Sequence, residues 1–144
     1  MKTYIGTKVI KAEPMTVQEY NEKVRLLKYS GDDQNGYKVV YEDGYVSWSP
    51  KVVFEDAYRE TSEMNFGHAL EFLKMGHKVA RAGWNGKGIF IELQRPDEHS
   101  KMTSPYIFID TTGLKTDNPA APKSRVPWLA SQTDMLAEDW MIVK

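Results

Sequence analysis

The sequence predicts an α+β protein: a small antiparallel sheet with one main helix in residues 62–144, preceded by a small α+β module over residues 1–61. Three observations predict it. Short runs of β-branched and aromatic residues are joined by glycine turns, as in Tyr37–Tyr41 and Tyr45–Trp48 around Asp43-Gly44. Stretches with helical spacing, such as Phe66, Ala69, Leu70 and Leu73, stand between those runs. Finally, the short polar segment Glu60–Glu63 separates two such series and has the character of a boundary.

Composition narrows the function classes. A chain of 144 residues is one ordinary domain or two very small ones. With 41% hydrophobic and 27% charged residues it has the composition of a soluble globular protein. No apolar run approaches ~18 residues and no cationic start leads into an apolar signal core, so the expectation is a cytoplasmic protein with no membrane partner. Zero cysteines remove disulfides, thiolate metal sites and cysteine nucleophiles. A net charge of -1 argues against a nucleic-acid polymer as partner, because such binders carry a basic excess. An anionic ligand must therefore be held by local groups.

The elements follow in order. Lys2–Ile10 reads as a strand with Ile5, Thr7 and Val9 on one face, stopped by Pro14-Met15-Thr16. Thr16 and Glu19 form a capping box, and Val17, Tyr20, Val24 and Leu27 carry a helix from Val17 to Tyr29 before Gly31 ends it. After the Tyr37–Trp48 hairpin, Ser49-Pro50 opens a helix with serine as N-cap and Val53, Phe54, Ala57 and Tyr58 on its buried side. Asn65 caps the main helix, Phe66 to Met75, which Gly76 terminates. Val79–Ala82 and Ile89–Leu93 form a second hairpin about Asn85-Gly86, whose positive φ angles favour a tight turn. Arg95–Ser104 is a charged loop, Pro105–Asp110 a strand and Thr111–Arg125 a loop with two prolines. Ser131 and Asp134 have capping-box spacing for a short helix through Ala137, and Met141-Ile142-Val143 closes the chain as a strand.

Candidate chemistry gathers in two places. At the tip of the hairpin Trp84 stands among Gly83, Gly86 and Gly88, with Arg81 and Lys87 on either side. A flat ring for a base, bare amides and two cations for phosphates make a nucleotide-binding surface, while the bland alternative has the ring packed over its own hairpin. In the second place Gln132, Thr133 and Asp134 lie beside Trp128, a set suited to reading a base edge or a ribose, or simply the start of a capped helix. Glu138-Asp139 reads as a solvated helix end. No P-loop, dinucleotide fingerprint or nucleophile elbow occurs, and His68, His77 and His99 lack metal-ligand spacing, so no enzyme and no cofactor is expected. Two modules of roughly 60 and 80 residues bury little surface each, which points to association between chains.

The segments MNFGHALEFLKMGHKVARAGWNGKGIFI and VPWLASQTDMLAEDW resemble the second Thoeris anti-defence family, small phage-encoded proteins that act as sponges for nucleotide immune signals. The resemblance spans residues 64–144. It implies a homotetrameric α+β protein that captures a cyclic ADP-ribose isomer made by bacterial TIR-domain enzymes without cleaving it, some members also taking cyclic dinucleotides. By the matching motifs, Trp84 and Asn85 in the first segment and Trp128, Ser131, Gln132, Thr133 and Asp134 in the second are the residues carried over as ligand contacts. The residues read directly from the chain add Arg81 and Lys87. Residues 1–63 lie outside the resemblance, and no activity attaches to them.

Overall fold

A computed structural model describes residues 1–144. Four helices and two antiparallel sheets, of three and five strands, make the α+β protein that the sequence predicts. The chain folds into two compact units, Met1–Arg59 and Glu60–Lys144. No helix is long and apolar enough to cross a membrane.

In the first unit β1 (Lys11–Pro14), β2 (Gly36–Val40) and β3 (Val46–Pro50) form the sheet in that order. The strand expected at Lys2–Ile10 is absent; those residues carry no secondary structure, with Ile5 100% and Tyr4 85% exposed. The register explains why: Lys11 pairs with Val40, the last residue of β2, so residues before Lys11 have no strand beside them. A strand is stabilised by its cross-strand neighbours, and propensity alone does not make one. Beyond Val40 the chain turns at Gly44, whose φ of 85° only glycine adopts readily.

Helix α1 spans Val17–Lys23 and begins with the expected capping box. It is one turn and more shorter than the predicted Val17–Tyr29. Tertiary packing stops it: Leu27 and Tyr29 turn back onto the core of Val17, Tyr20 and Trp48, with the Tyr29 ring edge-on to Trp48 at 4.8 Å. Asn21 Oδ1 accepts the Leu27 N–H at 2.7 Å and Arg25 Nη2 donates to the Val46 carbonyl at 2.7 Å, which fixes the departure from the helix. Helix α2 covers Lys51–Ala57, and its N-cap is Pro50, not Ser49, with no side-chain cap. Its expected buried face is only partly realised, because Val53 is 59% exposed while Phe54 stacks on Tyr37 at 4.2 Å and Tyr58 on Phe54 at 5.0 Å.

In the second unit α3 (Phe66–Lys74) starts at Asn65, whose Oδ1 accepts the His68 N–H, and is followed by Gly76 at φ 92°. The sheet runs β7-β6-β5-β4-β8, with β4 Lys78–Arg81, β5 Phe90–Gln94, β6 Tyr106–Asp110, β7 Arg125–Pro127 and β8 Trp140–Val143. Ile142, Val79, Ile91, Ile109 and Val126 are successive register partners across the five strands, so they share one face. Val79, Ile91 and Trp140 form the core with Met64, Ala69, Phe72 and Leu73. The short helix α4 spans Gln132–Leu136.

The hairpin β4–β5 exists, but its turn is not the expected Asn-Gly turn. No residue other than glycine has positive φ, and Gly88, at 83°, takes that role in place of Asn85-Gly86. The connection occupies residues 82–89 and lies against the segment after β6, where the Lys115 N–H donates to the Lys87 carbonyl at 2.9 Å. A Cβ at position 88 would stand 2.2 Å from the Gly113 carbonyl oxygen, so this contact also requires glycine.

Candidate functional site

The site is built where β4 leaves the sheet. Arg81, the last residue of β4, lies opposite Trp140 in the β4–β8 ladder, which brings the start of the 82–89 loop against the end of the chain. The Arg81 guanidinium then forks between two carboxylates: Nε donates to Asp139 Oδ1 at 2.8 Å and Nη1 to Asp134 Oδ1 at 2.9 Å. A rigid planar fork suits such double recognition, and both bonds are charge-assisted. Asp139 Oδ2 also accepts the Gly83 N–H at 2.7 Å.

Asp134 carries more partners still. Its Oδ1 accepts the Trp84 indole N–H at 3.0 Å, and its Oδ2 accepts the Ser131 hydroxyl at 2.9 Å and the Ser131 N–H at 3.3 Å, completing the capping box of α4. The main-chain carbonyl of Asp134 accepts the Trp140 indole N–H at 2.9 Å. One residue therefore starts a helix and fixes two tryptophans and an arginine. Burial alone raises the Asp134 carboxyl, but the bonds from Trp84, Arg81 and Ser131 outweigh it and hold the group below the usual carboxylate range. The Arg81 bond likewise lowers Asp139, and Asp139 in turn raises Arg81.

Above this polar brace lies a cluster of four rings. Trp84 stands edge-on to Trp140 at 5.4 Å and to Trp128 at 6.3 Å, Trp128 to Trp140 at 6.0 Å, and Phe66 is 5.5 Å from Trp140. Edge-to-face contacts at these separations are favoured by the ring quadrupoles. Trp140 is fully buried, whereas Trp84 and Trp128 are half-buried and keep part of their rings at the surface.

The structure thus gathers Arg81, Trp84, Trp128, Ser131 and Asp134 in one cluster. Asn85 is exposed on the loop, and Gln132 and Thr133 are exposed in the first turn of α4. Lys87 is exposed too, but its Nζ folds back onto the carbonyls of Ala82 at 2.8 Å and Trp84 at 3.2 Å, closing the loop on itself. Two expectations change. Trp84 is not at a free hairpin tip; the eight-residue connection folds it onto the core, so it has a structural part as well as a surface. Asp139 is not a solvated helix end, because the β4–β8 pairing delivers Arg81 and the Gly83 N–H to it. Sequence reasoning missed Asp139 and Trp140, since Asp139 meets Arg81 58 residues away, Trp140 pairs with the still more distant Met64, and no local spacing marks them.

A second carboxylate–arginine pair sits at the far side of the same sheet. Asp110, buried at the end of β6, accepts from Thr112 Oγ1 at 2.6 Å and Arg125 Nε at 2.7 Å, and these bonds pull its carboxyl down to about 2. It holds the two ends of the Thr111–Ser124 loop together.

Fold and site together define a small α+β module whose surface is organised on a tryptophan cluster cross-braced by one arginine and two aspartates. A family model described as a Thoeris anti-defense 2-like domain matches residues 64–143, nearly the whole of the second unit. The chain is also similar to Thoeris anti-defense 2 of Bacillus phage SP01, at 39% identity over 90 residues covering 57% of this chain and 97% of that protein. The chain belongs to the Thoeris anti-defense 2-like family.

Proposed function

We propose that the second unit binds a cyclic ADP-ribose isomer made by bacterial TIR-domain immune enzymes and sequesters it intact, with cyclic dinucleotides as further ligands. The observation that supports this reading is the family match, which spans both motif segments, and the geometry by which those segments meet at Asp134. Half-buried Trp84 and Trp128 offer ring surface for a base. Asn85, Lys87, Gln132 and Thr133 are the exposed polar groups around them. Ser131, Arg81 and Asp134 hold that surface in place.

Sequestration needs no nucleophile and no base. It needs affinity: capture at nanomolar signal requires about -12 kcal/mol. Stacking on one or two rings supplies ~1–3 kcal/mol each, and charge-assisted bonds with a largely preformed surface supply the remainder. Val126 and Leu136, 47% and 78% exposed, flank the Trp128–Asp134 segment and Leu129, 92% exposed, lies within it; we assign all three to contacts between copies in a homotetramer built as a dimer of dimers.

The test is a recovery experiment. Protein is loaded with the cyclic ADP-ribose isomer, washed by filtration and denatured, and the released nucleotide is analysed by chromatography and mass. Intact ligand in stoichiometric amount supports sequestration. A linear product would instead identify a nucleotide hydrolase, and no retained ligand would leave an adaptor or assembly protein whose tryptophans are interface anchors.

A further inference from the structure

Asp139 belongs to neither of the two residue sets expected to touch a ligand, yet it holds three consecutive residues at the exit of β4. Its Oδ1 takes the Arg81 Nε–H at 2.8 Å, its Oδ2 takes the Gly83 N–H at 2.7 Å, and its main-chain carbonyl takes the Ala82 N–H at 3.0 Å. The next residue is Trp84, whose own N–H donates to the Arg81 carbonyl at 3.3 Å. The indole end of Trp84 is held separately, by Asp134. Backbone and ring are therefore fixed by two different carboxylates that share one arginine.

Gly83 fits the same arrangement. A Cβ at position 83 would stand 2.6 Å from Asp139 Oδ2, so the carboxylate reaches the Gly83 N–H only because that residue has no side chain. The Asp139 side chain is 33% exposed, so solvent screening limits what its ion pair adds to global stability. Its consequence is geometric: it selects one course for the 82–84 backbone out of those an unbraced glycine allows.

We infer that Asp139 is a positioning residue for Trp84, fixing the backbone from which the ring is presented to the nucleotide. This rests on the ligand-binding reading of the Trp84 surface given above. Asp139 touches no ligand itself.

The experiment uses the full chain, with Asp139→Ala, Asp139→Asn, Trp84→Ala and the Trp84→Ala/Asp139→Ala double variant. Calorimetric titration with the cyclic ADP-ribose isomer should show Asp139→Ala weakening capture about tenfold, the scale of one lost charge-assisted bond. Asp139→Asn, whose amide oxygen still accepts the Gly83 N–H, should recover part of that loss. In the double variant the two losses should not add, because Asp139 acts through the ring that Trp84→Ala removes. Fully additive losses would overturn the assignment. The indole N–H resonances of the ligand-free protein give an independent reading: in Asp139→Ala the Trp84 signal should shift and exchange faster with solvent, while that of Trp48, in the first unit, stays in place. An unmoved Trp84 signal overturns the inference, whatever the ligand. If wild-type protein fails to bind the isomer, the functional reading falls and the indole spectrum alone decides the positioning role. Should Asp139→Ala not fold, Asp139→Asn carries the same comparisons, with the charge removed and the acceptor retained.

Discussion

The two capping boxes of this chain use one local device to different ends. Thr16 and Glu19 start α1, and Ser131 and Asp134 start α4, each with hydroxyl and carboxylate exchanging bonds across three residues. Glu19 has nearly half its side chain in solvent, at 47%, and beyond its own helix it meets nothing. Asp134 is only 13% exposed and adds Arg81 and Trp84 to the same carboxylate. The difference teaches that a capping signature fixes where a helix begins and leaves open whether the cap is also the centre of a tertiary network. Burial decides that, because a carboxylate withdrawn from water must find donors to replace the water it lost.

Breaking the buried cap should give the largest effect. Asp134→Ala removes the carboxylate half of the α4 capping box and leaves the Arg81 charge and the Trp84 indole N–H short of a partner, which should destabilise the second unit by about 3 kcal/mol or more. Fluorine-labelled tryptophans report it directly, because Trp48 lies in the first unit and Trp84, Trp128 and Trp140 in the second. The urea midpoint of the last three should fall while that of Trp48 is unchanged. A common shift of all four signals would show that the network is not confined to its unit.

Trp84 comes next, since it combines packing with surface. Trp84→Ala should cost about 2–3 kcal/mol of stability, because the ring packs on Trp140 and Trp128, and should weaken nucleotide capture by roughly tenfold to a hundredfold. Trp84→Phe keeps an aromatic ring but not the N–H to Asp134, so its stability loss should be near 1 kcal/mol. Equal losses in the two variants would mean that the indole bond, and not the packing of the ring, carries the stability.

Acid should loosen the second unit. Asp110, Asp134 and Asp139 all have lowered carboxyl pKa values in the folded state. A lowered folded-state value contributes stability above the unfolded value of about 4, and that stability is lost as pH falls toward the folded value. For Asp110 the window runs down to about 2. The second unit should therefore melt progressively lower from pH ~4 to pH ~2, and Asp110→Asn should flatten part of that dependence. A melting temperature independent of pH over this window would refute the ionic role of these carboxylates.

The smallest effect belongs to the exposed cap. Glu19→Ala leaves the Thr16 hydroxyl to cap α1 alone and should lower the urea midpoint only slightly, read at Trp48 only. A loss as large as that of Asp134→Ala would dissolve the distinction between the two boxes.

What the sequence determined by itself is the part of this protein governed by neighbours within a few residues. Both capping boxes, the Asn65 cap, the Gly44 and Gly76 stops and the apolar stripe of α3 were legible, because a cap closes over three residues and a helical face repeats over four. Tertiary structure decided the rest. Lys2–Ile10 has strand propensity, but β2 ends before it has anything to pair with; α1 has the periodicity to reach Tyr29, but Leu27 and Tyr29 reach the core sooner by turning back. Asn85-Gly86 has the composition of a tight turn, yet the contact between Gly88 and Gly113 draws the loop out and folds Trp84 inward. Asp139 gained its role only when β8 paired with β4 and set it beside an arginine 58 residues earlier. A hydrogen bond between near neighbours is written into their spacing, whereas one between distant residues exists only after the sheet between them has chosen its strand order.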